Sequence, residues 1–119
     1  MKSLLVALTA LLVSVSCAGA DEPDVESLLA AAGKAVPYRD AWERCAAAVV
    51  QRDLGSDLTP EALADRAVSR CRPREMRLKA VLAKSVGPVE AATVVEQLRR
   101  LYRTNLETIV EDMRRRGSR

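Results

Sequence analysis

Positively charged side chains are concentrated in one short stretch of this chain, between residues 66 and 84. The stretch contains seven cations and a single acid, Glu75. The cations are Arg66, Arg70, Arg72, Arg74, Arg77, Lys79 and Lys84. Guanidinium groups bind phosphate or carboxylate oxygens through paired hydrogen bonds, so several of them around a helix break at Pro73 could bind one anion. The stretch predicts a site for an anionic partner, and the first six cations are its candidate residues.

A second interpretation of the same stretch requires no ligand. Residues 21–65 contain four basic and ten acidic residues, whereas residues 66–119 contain fourteen basic and six acidic residues. The cations could therefore pair with the acidic first half of the fold and solvate one face. The basic end, Arg114–Arg116 with Arg119, could extend the patch or complement the negative end of a helix dipole. Both interpretations stay open from the sequence.

Catalytic and cofactor-binding patterns are missing from the sequence. The chain has no histidine, so Ser-His-Asp triads, Cys-His pairs and histidine–metal sites are excluded. No glycine-rich phosphate loop is present, and the acids near residue 24 are typical of a helix start. We expect a non-enzymatic protein without cofactor or metal; the alternative is a hydrolase whose catalytic carboxylate or lysine the sequence pattern does not reveal. Nucleic acid is not expected as a partner, because no aromatic side chain lies between residues 66 and 84 to stack on bases.

The first twenty residues have the pattern of a secretory signal peptide. Lys2 precedes the apolar run Leu4–Val13, and Ala18-Gly19-Ala20 forms a cleavage site before Asp21. The run is too short to span a bilayer. We therefore expect residues 1–20 to be removed and residues 21–119 to form a single domain in the periplasm of a Gram-negative bacterium. The alternative is lipoprotein processing, with Cys17 acylated after Ser16.

Two cysteines remain after cleavage, Cys45 and Cys71, and an oxidising compartment favours a bond between them. Their spacing differs from the tight Cys-x-x-Cys of redox-active pairs. Such a bond would close a loop of about 27 residues and contribute about 3.5 kcal/mol of stability. We predict a structural disulfide.

Hydrophobic periodicity predicts an all-α fold of four to five helices, with one disulfide-stapled helical hairpin. Asp24 is expected to cap a short first helix, and a second helix is expected from about Tyr38 to Leu54 with Trp42 buried. Thr59 and Pro60 predict the start of a third helix, and Pro73 and Gly87 predict breaks on either side of a fourth. The last helix is expected over about residues 89–116. Its predicted inward stripe consists of Val94, Val95, Leu98, Leu101, Tyr102, Leu106, Ile109 and Met113.

Residues 38–116 resemble small exported proteins of unknown function from alphaproteobacteria. The resemblance rests on Tyr38-x-x-x-Trp42-x-x-Cys45, on the run from Thr59 to Ala64, and on Ala67-Val68-x-x-Cys71 before an arginine-rich last helix. It implies no particular activity. In size, export, helicity and single disulfide, the chain is also similar in architecture to periplasmic acid-stress chaperones of the HdeA type.

Together these features predict a protein that binds an envelope partner or protects other proteins under stress. The expected ligand is an acidic envelope protein, anionic lipid or lipopolysaccharide. The alternative function is that of a membrane-surface factor, attached through an acylated Cys17 or through the basic face on anionic lipid.

Overall fold

The computed structural model describes residues 33–117, which form an all-α bundle. A 3-10 turn at Gly33–Ala35 leads into four α-helices. They are α1 (Val36–Asp53), α2 (Pro60–Arg70), α3 (Arg72–Val86) and α4 (Pro88–Gly117). The expected all-helical class is confirmed, with four helices and no strand between residues 33 and 117. The predicted signal peptide, Cys17 and the helix predicted at Asp24 lie outside the described residues.

Prolines mark the start of each of the four helices. Pro37, Pro60, Pro73 and Pro88 each lie within the first two positions of their helix, where a missing N–H costs no hydrogen bond. Thr59 is the N-cap residue of α2, because its hydroxyl oxygen accepts a hydrogen bond of 3.1 Å from the Ala62 amide. Gly87 separates α3 from α4 with a φ of 89°, which a residue with a Cβ rarely adopts. The helix boundaries therefore follow from local sequence.

The four helices share one core: α4 packs mainly against α2 and α3, and α1 packs against the same two helices and also contacts α4. The residues that are at least nine-tenths buried and apolar include Trp42, Leu63, Leu78, Leu82, Leu98 and Val110. The predicted burial of Trp42 is confirmed, since 1% of the residue is exposed. Its ring meets the ring of Tyr102 edge-on, with centroids 4.9 Å apart, which links α1 to α4.

The predicted inward stripe of α4 is wrong at two positions. Leu101 and Ile109 are 49% and 45% exposed, whereas Val110 is fully buried. The buried row advances in steps of four, through residues 94, 98, 106 and 110 with the half-buried Tyr102 between them. Leu101 and Ile109 each precede a member of this row by one residue, which places them about 100° away around the helix. Tyr38, near the start of α1, is also exposed, at 40%.

The predicted disulfide is present between Cys45 and Cys71, whose Cα atoms are 5.9 Å apart. Cys45 lies in the middle of α1, and Cys71 is the fully buried residue in the turn between α2 and α3. The bond therefore fixes α1 against the point where the chain changes direction.

Candidate functional site

An open hollow of about 510 Å³ lies between α1 and the start of α3, beside the disulfide. We call it the α1–α3 hollow. Its lining residues are Ala41, Arg44, Cys45, Ala48, Val49, Arg52 and Arg74. All but Arg74 come from one side of α1, where residues three, four or eight apart share a face. Small and apolar side chains form the floor, so a ligand can approach the α1 backbone closely.

Three guanidinium groups surround the α1–α3 hollow, and no carboxylate of the described residues lines it. Arg44 and Arg74 are exposed and form no ion pair with any residue between 33 and 117. Arg52 contacts the Asp53 carboxylate, with 3.2 Å between its Nε and Oδ1. Charges of one sign around an apolar floor raise the local concentration of the opposite sign. The arrangement can accept an anionic group that also carries apolar surface.

A second hollow, between α2 and α4 at the start of α3, also contains arginines, but carboxylates lie among them. Its lining residues are Asp65, Val68, Ser69, Arg72, Glu96, Arg99, Arg100 and Arg103. Arg103 Nε lies 2.7 Å from Asp65 Oδ1, and Arg100 Nε lies 3.3 Å from Glu96 Oε1. These pairs reduce the positive potential there. The contrast between the two hollows singles out the α1–α3 hollow as the candidate anion site.

The only acid of the basic stretch, Glu75, is an internal ion-pair partner. Its side chain is 2% exposed and accepts a hydrogen bond from Arg99 of α4, which also contacts Glu96. The bond to Glu75 raises the pKa of Arg99 above its ordinary value. Because Glu75 is turned inward, the outer face of α3 carries cations and no exposed carboxylate.

The six candidate cations from the sequence are distributed over several surfaces. Arg72 and Arg74 line different hollows, on opposite sides of α3. Arg70 and Arg77 are exposed and Lys79 is half-buried, and none of the three forms an ion pair with another described residue. Of the six, only Arg74 therefore lies in the α1–α3 hollow.

Arg66 behaves as the second interpretation of the sequence expects, by pairing with the acidic first half. Its Nη1 lies 3.2 Å from Asp53 Oδ2, which joins α2 to the end of α1. Hydrogen bonds from Arg52 and Arg66 lower the pKa of the Asp53 carboxyl below its ordinary value. Arg66 is thus part of the fold's own charge network.

Two residues of the hollow, Arg44 and Arg52, were not among the sequence candidates. They lie in the half of the chain that is acidic overall, so a search for stretches of net positive charge does not find them. Their spacing of eight residues, with alanines at 41 and 48 on the same side of α1, is the signal that could have indicated them.

Arg114, at the basic end of α4, has a structural role that neither interpretation included. Its guanidinium donates hydrogen bonds to the backbone carbonyl oxygens of Leu54, Ser56 and Leu58, over 3.1, 3.2 and 2.5 Å. These carbonyls belong to the connection between α1 and α2. The end of α4 therefore holds that connection in place.

Comparison with known proteins returned no match: no protein-family model, curated protein or solved structure is significantly similar to this chain. Between residues 33 and 117, no group of three potential metal-binding side chains is close enough to hold an ion. No helix within that range is long and apolar enough to cross a membrane.

Proposed function

We propose that this chain is an exported, non-enzymatic binding protein of the Gram-negative envelope, and that its α1–α3 hollow binds an acidic, partly apolar segment of another envelope protein. The observation that carries the proposal is the lining of the hollow. Two guanidiniums that pair with no described carboxylate, and a third beside them, surround a floor of alanine, valine and the disulfide. This combination is complementary to a helix that has carboxylates on one side and apolar residues on the other.

The disulfide supports the exported location. Bonds of this kind persist in oxidising compartments such as the periplasm and are rare in the cytosol. The bond also stiffens the site, because Cys45 lines the hollow and Cys71 lies three residues before Arg74. A rigid site loses less conformational entropy when it binds a ligand. The intact mass of the exported protein tests cleavage after Ala20 against acylation at Cys17.

Binding can be tested with a fluorescently labelled helical peptide that has one face of Glu and one face of Leu. The expected result is binding at low salt that weakens toward physiological salt, because the Debye length falls from about 30 Å at 0.01 M to about 8 Å at 0.15 M. The double variant Arg44→Glu/Arg74→Glu should bind about thirtyfold more weakly or worse. That ratio corresponds to roughly 1 kcal/mol for each of two charge-assisted hydrogen bonds removed at exposed positions.

A matched control is available in Arg70→Glu/Arg115→Glu. Both residues are exposed, neither forms an ion pair with a described residue, and neither lines the α1–α3 hollow. The double variant changes the net charge by the same amount as the hollow variant. We expect its affinity for the peptide to fall no more than about threefold. Equal losses in the two variants would show that only net charge attracts the peptide, and the proposed site would be rejected.

A membrane-surface function is the second candidate, and the outer face of α3 favours it. Arg74, Arg77 and Lys84 are exposed there, and the neighbouring Met76 is 48% exposed. Cations with an exposed apolar side chain suit the surface of an anionic bilayer. Sedimentation with phosphatidylglycerol vesicles separates the two functions. Binding to vesicles that Met76→Ser weakens, without binding of the peptide, would favour the membrane function.

A further inference from the structure

The acidic residues that precede the bundle in the sequence suggest how the α1–α3 hollow is regulated. We infer that the chain's own N-terminal segment, residues 21–32, occupies this hollow and competes with the external partner. The inference rests on the proposed function, since it assigns a second, internal ligand to the same site. The segment lies outside the described residues, so its docking is inferred from its sequence, its length and the charges of the site that would receive it.

Charge complementarity is the first support. The segment contains Asp21, Glu22, Asp24 and Glu26, and it has no basic residue. Among the described residues, the hollow presents three arginines and no carboxylate. By contrast, the mostly apolar groove between α1 and α4 is lined by an acid, Glu43, which would repel the segment. Of these two surfaces along α1, the α1–α3 hollow is the one that complements the segment's charge.

Apolar complementarity is the second support. After its acids, the segment continues with Leu28, Leu29 and three alanines. The floor of the hollow consists of Ala41, Ala48, Val49 and the disulfide sulfur of Cys45. The same sequence thus provides both chemical features that the hollow accepts, carboxylates for its rim and apolar side chains for its floor.

The attachment point and the length of the segment allow this docking. Gly33–Ala35 packs against both α1 and α3, the two helices that supply the hollow. Arg44 is eleven residues beyond Gly33, or about 16 Å along the helix axis. The four acids precede Gly33 by seven to twelve residues, which span up to about 23–40 Å when extended. The carboxylates can therefore reach the arginines without any rearrangement of the bundle.

The size of the effect follows from effective concentration. A short tether holds the segment at about 1 mM relative to its own hollow. If the free segment bound with a Kd of about 0.1 mM, the tethered one would weaken an external ligand about tenfold. An external partner must bind tightly enough to displace the segment. We therefore expect only a strongly acidic or multivalent partner to occupy the hollow.

The test compares two versions of the chain from Asp21 to Arg119. One has the native sequence, and the other carries Asp21→Asn, Glu22→Gln, Asp24→Asn and Glu26→Gln. The probe is a free synthetic peptide with the sequence of residues 21–32. We expect this peptide to bind the neutralised chain about tenfold more tightly than the native chain. The arginine Nε–Hε NMR signals of Arg44, Arg52 and Arg74 should also differ between the two chains before any peptide is added.

A matched control neutralises four acids of the bundle that form no ion pair with a described residue: Asp57→Asn, Glu61→Gln, Glu90→Gln and Glu111→Gln. It changes the net charge equally and should leave the peptide affinity within about twofold of the native chain. Equal affinity of the peptide for the native and neutralised chains would overturn the inference while the proposed function stands. Binding of the peptide to neither chain would also overturn the inference; the proposed function would fall with it only if the Glu/Leu helical peptide does not bind either chain. Arginine shifts that depend on protein concentration would place the segment of a second copy in the hollow and overturn the intramolecular docking.

Discussion

Removal of the Arg99 side chain should destabilise the protein far more than removal of the neighbouring, exposed Arg100 side chain. Arg99 reaches from α4 to Glu75 of α3, a carboxylate whose side chain is only 2% exposed. Without the guanidinium, the bundle would hold a carboxylate in its interior without its cation. Removal of one partner from a buried pair costs about 3–5 kcal/mol. Arg99 is itself 32% exposed, so water can enter after its removal, and we expect the lower end, about 3 kcal/mol.

Thermal and urea unfolding followed by circular dichroism measure this effect. For a domain of this size, about 3 kcal/mol corresponds to a fall in Tm of roughly 15 °C. The matched control is Arg100→Ala. Arg100 is 78% exposed and contacts Glu96 at the surface, so its removal should cost no more than about 0.5 kcal/mol.

The double variant Glu75→Met/Arg99→Met distinguishes two contributions to stability. One is the ion pair itself, and the other is the penalty of leaving the Glu75 carboxylate without its cation. Apolar side chains of similar length remove both charges, so the double variant should recover most of the stability that Arg99→Ala removes. A destabilisation below about 1 kcal/mol in Arg99→Ala would refute the reasoning. So would a double variant that is less stable than Arg99→Ala, because the penalty would then not arise from Glu75.

Three further predictions concern the disulfide, the core and the loss of stability at acidic pH. Cys71→Ala should cost about 2–4 kcal/mol in urea unfolding, whereas an unchanged midpoint would mean that the bond constrains nothing. Trp42→Ala should cost about 3–5 kcal/mol because it leaves a cavity against Tyr102, and native fluorescence with the maximum of water-exposed indole would contradict that burial. The lowered pKa of Asp53 means that its ionised form stabilises the fold above about pH 4 and that this stabilisation disappears as the pH falls through the lowered value. The difference in Tm between the native chain and Asp53→Asn should therefore be largest above about pH 4 and shrink in more acidic buffer.

Local signals in the sequence were sufficient for most of the fold. Thr59 with Pro60 predicts the start of α2, and Gly87 with Pro88 predicts the α3–α4 break, because capping and proline geometry depend on neighbouring residues only. The disulfide was predicted from the expected export of the chain and from the two cysteines that the expected cleavage leaves. Positions such as Leu101 could not be assigned in the same way. Which row of a long amphipathic helix is buried depends on the angle at which its neighbours cross it.

The candidate site was harder to predict, because its residues come from separate parts of the chain. Arg44 and Arg74 are thirty residues apart in the sequence and become neighbours only through the disulfide and the packing of α3 on α1. Arg72 and Arg74 look equivalent in sequence, yet a spacing of two residues places them about 200° apart on a helix. Likewise, Arg99 is twenty-four residues from Glu75, and no local pattern connects them.

The most direct test of binding in the α1–α3 hollow is an NMR titration of the native chain with the Glu/Leu helical peptide. The signals to follow are the methyl groups of Ala41 and Ala48 and the Nε–Hε groups of Arg44 and Arg74. We expect these four to shift together and to saturate with one affinity, while Arg103 in the second hollow stays unchanged. Shifts centred on Arg103, or small shifts spread over all exposed arginines without saturation, would contradict the assignment of the binding site to this hollow.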